Sequence, residues 1–123
     1  MLILACLSGC ISEEPEPTGP INGDVTIDMT SQLTFAPAAA QARVGQTVVW
    51  VNTSSMPHTV TADPSLAGNA ASVSLPEGAE PFASPLVDAG GSYSRTFTVA
   101  GTYRYFCQPH EGAGMIGTIV VAP

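Results

Sequence analysis

No stretch of this chain repeats apolar residues at helical spacing over three turns. Short runs alternate every second residue instead, the pattern of strands with one buried face. VTIDMTS (25–31) puts Val25, Ile27 and Met29 on one side and Thr26, Asp28 and Thr30 on the other. QTVVWVN (46–52) follows the turn at Gly45 and is apolar on both faces, so it is expected at the centre of a sheet. SYSRTFTV (92–99) alternates again, with Tyr93, Arg95, Phe97 and Val99 of one parity. Ala100-Gly101 is a tight turn, TYRYFC (102–107) follows, and MIGTIVVA (115–122) closes the chain. Short strands at this spacing predict an all-β sandwich or barrel. Residues 63–91 are rich in Ala, Ser, Pro and Gly and predict an irregular excursion with a short strand or a helical turn.

A length of 123 residues suits one domain, and a 45% hydrophobic content supplies a core. Lysine is absent, and ten acidic residues against three arginines give a net charge of -7. That balance argues against nucleic-acid binding, which needs a basic face. Three of the acids, Glu13, Glu14 and Glu16, lie in one N-terminal run, so the folded part is less acidic than the total.

The first ten residues, MLILACLSGC, are almost wholly apolar but too short to span a membrane, which takes about 20 residues. Leu7-Ser8-Gly9-Cys10 resembles a bacterial lipobox, in which the cysteine is acylated after cleavage. A basic segment is missing ahead of it and the apolar run is short, so the expectation is a true start upstream or a fragment of a longer chain. The expectation is a lipoprotein signal peptide over 1–10 ending at lipidated Cys10, a flexible tether over 11–23 and a folded domain over 24–123. The chain would then be exported and anchored to a membrane, facing the periplasm or the cell exterior. Cys6 is discarded on this reading, so Cys107 has no partner for an internal disulfide. An unpaired thiol in an oxidising compartment needs an occupant or burial.

CQPHEGAGM (107–115) offers the occupant. Pro109, Gly112 and Gly114 make the stretch a loop between strands, and its length lets Cys107, His110 and Met115 point at one centre. The second histidine of the chain, His58, stands in SSMPHTV, just past the strand that ends at Asn52. The ends of those two strands can share one pole of a sandwich. Each residue has an ordinary alternative: a loop histidine, a core methionine, an exposed His–Glu pair, a buried thiol. Together, two imidazoles, a thiolate and a thioether make the donor set of a blue-copper electron-transfer site.

The segment YFCQPHEGAGMIGTIVV resembles the copper loop of plastocyanins within the cupredoxin family, and WVNTSSMPHTV resembles the segment with that family's first histidine ligand. The resemblance covers roughly Val25 to Val121 and implies a Greek-key β-sandwich holding one type 1 copper through His58, Cys107, His110 and Met115. It also implies a non-enzymatic carrier of single electrons that docks briefly with redox proteins such as a cytochrome or a copper or haem oxidase or reductase. A monomer is expected. Two positions depart from the family pattern. Phe106 stands where a tyrosine usually precedes the cysteine, and Thr59 where asparagine often follows the histidine. By analogy His110 is the electron port, ringed by Met56, Pro109 and Ala113, with Glu111 favouring a positively charged partner.

Strand parity places Tyr103, Tyr105 and Cys107 inside and Arg104 and Phe106 outside, with Phe106 at least partly exposed. A multicopper oxidase or nitrite reductase fragment would need further histidines, and a binuclear copper centre a second cysteine in the loop. A periplasmic copper carrier without an electron-transfer role is the alternative, with a zinc site or a metal-free sandwich behind it. Asn52-Thr53-Ser54 fits a glycosylation acceptor, a pattern too frequent by chance to weigh.

Overall fold

The computed structural model describes residues 23–123. The expected leader, Cys10 and all but the last residue of the expected tether lie outside the described residues. Among the described residues nine strands form two sheets. They are β1 (Val25–Met29), β2 (Phe35–Ala36), β3 (Ala39–Arg43), β4 (Thr47–Asn52), β5 (Thr61–Ala62), β6 (Phe82–Ala83), β7 (Ser92–Thr96), β8 (Gly101–Phe106) and β9 (Ile116–Ala122). One sheet has the order β2-β1-β4-β7 and the other β3-β9-β8-β5-β6. β1 and β4 run parallel, as do β3 and β9, and every other pair is antiparallel. The chain thus crosses between sheets, and the β-sandwich expected from sequence is the observed architecture.

The alternation resolves as expected in β1, where Ile27 and Met29 are buried and Thr26 is exposed. β4 lies between β1 and β7, and its two-sided apolarity has two causes. Val48 and Trp50 face the shared core. Val49 lies against the backbone at Gly23, where a Cβ would meet Thr47 O at 2.9 Å and Val49 Cγ1 at 3.0 Å. Glycine there lets the chain lie flat over β4. The core is aromatic at its centre. Trp50 meets Tyr105 edge-on with centroids 5.4 Å apart, and Phe35 meets the other side of Tyr105 at 4.6 Å. Gly117 pairs with Tyr105 across the β8–β9 ladder, and a Cβ on it would come within 2.4 Å of the tyrosine hydroxyl.

The stretch 63–91 contains two single turns of 3-10 helix, Pro64–Leu66 and Ala70–Ser72, and the short strand β6. It also lies on β8: Ser74 and Arg104 exchange backbone hydrogen bonds of 3.0 and 2.8 Å, and Val73 joins the core. This overturns the expectation for Phe106, which is fully buried at 0% exposure. Parity gives the face a residue occupies but not what covers that face. Phe106 closes β8 between Thr61 and Ile116, and the excursion packs on this strand. Tyr103 and Tyr105 are buried and Arg104 is exposed, as parity predicts.

Candidate metal centre

The site sits at one end of the sandwich, where β4 and β8 run out. After β4 the chain turns through 53–57 and returns as an isolated bridge, with His58 and Val87 exchanging backbone hydrogen bonds of 3.1 and 2.8 Å. Cys107 follows β8 directly. Two short 3-10 turns within Gln108–Ala113 meet at a kink at His110, whose backbone is non-helical (φ -123, ψ 21), and Gly114 closes the second in the left-handed conformation at φ +83. Glycine adopts that conformation without the Cβ penalty of other residues. Cys107 N–H then donates to Met115 O at 3.1 Å, and Met115 N–H to His110 O at 3.3 Å, so the loop folds back on itself.

The loop brings together the residues singled out from the sequence. Cys107 Sγ lies 3.6 Å from His58 Nδ1 and 3.4 Å from His110 Nδ1, and the three ligand atoms all fall within 4.8 Å of one another. A metal bonded to sulfur at about 2.3 Å and to nitrogen at about 2.0 Å in a trigonal plane would hold those atoms about 3.7 Å apart. The observed separations match that span. His58, Cys107 and Met115 are fully buried, whereas His110 is half-buried. Met115 is fixed through its backbone bonds to Cys107 and His110, and its side chain is part of the core cluster.

Protonation states are set by burial. Burial holds the His58 imidazole below its usual pKa, with the nearby His110 acting in the same direction. Burial pushes the Cys107 thiol up, partly offset by N–H groups of Thr59 and His110. A buried thiol that resists ionisation becomes a thiolate ligand only when a cation takes the place of its proton. The Thr59 N–H points at Cys107 Sγ from 3.4 Å, and the Thr59 hydroxyl accepts from Gln108 N–H at 2.8 Å. The departure from asparagine therefore keeps the backbone bond to sulfur and ties the side chain to the loop.

Two functional residues, Ser54 and Asn52, were not singled out as such by the sequence. Ser54 Oγ lies 3.0 Å from His58 Nε2, and because its one proton goes to Asn52 Oδ1 it serves there as an acceptor, which assigns the proton to Nε2 and leaves the Nδ1 lone pair for the shared centre. The same oxygen accepts from Met56 N–H at 3.1 Å and donates to Asn52 Oδ1 at 2.7 Å. Asn52 Nδ2 donates to Met56 O and Val87 O at 2.7 and 2.9 Å, so one buried asparagine ties both segments that carry the His58 bridge. At 1% exposure, with its amide fully used, Asn52 is no glycosylation acceptor. The only sequence signal was a short polar run between a strand and the histidine. Glu111, singled out from the sequence as a lure for a cationic partner, has different surroundings in the structure. Its oxygens accept from Gly68 and Asn69 N–H, each at 3.0 Å, and these bonds with the Ser72 hydroxyl hold the carboxyl below its ordinary range. The carboxylate expected to await a cationic partner is thus engaged within the domain.

Two imidazole nitrogens and a thiol sulfur converge, and a thioether residue is fixed beside them. Together they define a mononuclear site for a soft, redox-active metal, in the arrangement of type 1 copper. Residues 21–122 match the family described as copper binding proteins, plastocyanin/azurin family, and the chain belongs to that family. Plastocyanin of Scenedesmus fuscus is 40% identical over 105 residues, covering 80% of this chain and 99% of that protein. Plastocyanin of Vicia faba is 37% identical over 94 residues, covering 72% and 88%. The chain spans 59% of the chloroplastic plastocyanin of Tetradesmus obliquus, at 36% identity over 93 residues. A mutant of amicyanin in its Cu(I) form superposes with a TM-score of 0.63 at 31% identity, covering 83% of this chain and 85% of that one. The cupredoxin sandwich and the copper cofactor expected from the resemblance agree with these findings.

Proposed function

We propose that the domain carries single electrons between redox proteins, with copper held by His58, Cys107, His110 and Met115. The observation that carries this reading is the convergence of both Nδ1 atoms and Cys107 Sγ within 4.8 Å. Bound copper supplies a one-electron couple between Cu(II) and Cu(I). The chain's part is to keep the donors still. Ser54 and the Val87 bridge fix His58, Thr59 N–H fixes the sulfur, and the closed loop fixes His110 and Met115. Rigid donors reduce the rearrangement that accompanies transfer, which lowers its barrier.

His110 is the port, because it alone of the four is not fully buried. Pro109 and Ala113 are exposed on its loop, and Leu86, beside the Val87 bridge, is 60% exposed. An apolar pole of this kind suits brief docking with small interfaces, for example with a cytochrome or a copper or haem oxidase or reductase. Phe106 is fully buried, so its ring offers no exposed second route. Both histidines of the chain are spent on this one site, which supports a carrier over an enzyme with further copper centres. The lipobox-like Leu7–Cys10 and the polar stretch after it support an exported domain, 24–123, held near a membrane by lipidated Cys10 and a tether over 11–23.

A visible spectrum of the copper-loaded domain tests the reading. An intense blue band that bleaches on reduction and is absent in Cys107→Ser is the expected result. A colourless copper-bound protein with readily exchanged metal would sink it in favour of a copper carrier.

A further inference from the structure

We propose that Glu111 is a positioning residue for His110, through a staple between the copper loop and the excursion 63–73. The inference rests on reading the site as an electron-transfer centre. One carboxylate takes two adjacent backbone N–H groups, Gly68 to Oε1 and Asn69 to Oε2, each at 3.0 Å and more than 40 residues away in sequence. Two parallel bonds to a charged acceptor fix direction as well as distance.

The position of this staple in the hydrogen-bond pattern gives it weight. Past Gln108, which is held by Thr59, the loop bonds only to itself until β9 begins: His110 N–H to Cys107 O, Gly114 N–H to Glu111 O and Met115 N–H to His110 O. Glu111 is its one hydrogen-bonded anchor to another part of the domain among the described residues. From the other side, the bonds within 63–73 are likewise local: Leu66 to Asp63, Ala67 to Pro64, Ser65 to Asp63, Ala71 and Ser72 to Asn69. Glu111, with Ser72 beside it, ties that stretch down before the Ser74–Arg104 bridge. His110 therefore sits between two outside anchors, Gln108–Thr59 before it and Glu111 after it. It is also the one half-exposed ligand, so packing constrains it least. The same staple helps hold the excursion against β8, on which its Ala70–Ser72 turn packs.

The test uses Glu111→Ala and Glu111→Gln, the latter keeping one acceptor oxygen. In the metal-free domain, amide hydrogen exchange at His110, Gly114 and Met115 is expected to quicken about fivefold in the alanine variant, with the glutamine variant between. In the copper-loaded domain, electron self-exchange measured by NMR line broadening is expected to slow by about the same factor, while the blue band persists with a shifted maximum. Unchanged amide exchange in the loop overturns the staple. Quickened amides with unchanged self-exchange and spectrum make it a clasp only and overturn the positioning role. A wild-type domain with no blue band defeats the electron-carrier reading instead, and amide exchange still decides the staple.

Discussion

Replacing Ser54 with alanine removes one oxygen and three hydrogen bonds around His58. The hydroxyl accepts from His58 Nε2–H at 3.0 Å and from Met56 N–H at 3.1 Å, and donates to Asn52 Oδ1 at 2.7 Å. Met56 is half-exposed, so water can replace its acceptor at little cost. His58 is fully buried, and its ring N–H loses its closest acceptor in a place water does not reach. An orphaned buried donor costs about 1–3 kcal/mol. The Thr30 carbonyl lies near the same ring and offsets part of this. The expected loss is therefore about 2 kcal/mol of metal-free stability, read from urea unfolding at constant slope. That is a large share of the roughly 5–15 kcal/mol that holds a domain together. The ring also gains freedom to turn Nδ1 away from Cys107, so Cu(I) affinity should fall about 10–100-fold in a chelator competition. A stability loss below about 0.5 kcal/mol with unchanged affinity would refute the argument that Ser54 orients the ligand.

Other outcomes follow from the same geometry. Gly117→Ala drives a Cβ to 2.4 Å from the Tyr105 hydroxyl, against a ring wedged between Trp50 and Phe35. It should cost about 1–3 kcal/mol in chemical denaturation, and a neutral result would mean the β8–β9 ladder gives way easily. Tyr105→Phe removes a buried hydroxyl that makes no hydrogen bond of normal length and has only the Trp50 side chain beside it, so it should change stability by less than about 1 kcal/mol in either direction. Burial raises the Tyr105 pKa above its ordinary value near 10, so the folded chain keeps this proton after the unfolded chain releases it. Its contribution is therefore full below that pH and is lost as pH rises past it, and Tyr105→Phe should flatten the alkaline fall in urea-derived stability. Copper at one hundred times its dissociation constant should add about 2.7 kcal/mol to stability, most of it lost in Cys107→Ser or on chelation; an equal gain in Cys107→Ser would place the metal elsewhere.

The strands easiest to read were those with β-branched or aromatic residues at alternate positions, β1, β4, β8 and β9. β3 escaped because Ala39–Arg43 reads AAQAR: Ala40 and Ala42 alternate into the core, but alanine carries little strand preference. β2, β5 and β6 are two residues each, too short for any period to register. The four proposed copper ligands were legible because their chemistry is rare in this chain. Both histidines, Cys107 and a methionine at loop spacing leave few other arrangements. Ser54 and Asn52 were not legible, because hydrogen-bonding side chains in a polar loop look alike whether they face water or a ligand.

Periodicity and ligand chemistry are local properties, which is why the sheet class, the donor set and the loop that gathers Cys107, His110 and Met115 could be read from the residues alone. Tertiary structure alone decided that Phe106 is sealed, that Ser54 sets the His58 tautomer and that Glu111 binds Gly68 and Asn69. Each of these joins a side chain to what covers it or accepts its proton, and tertiary packing makes those pairings. Even Ser54 and His58, only four residues apart, meet because the turn after β4 is pinned to Val87 and Asn52.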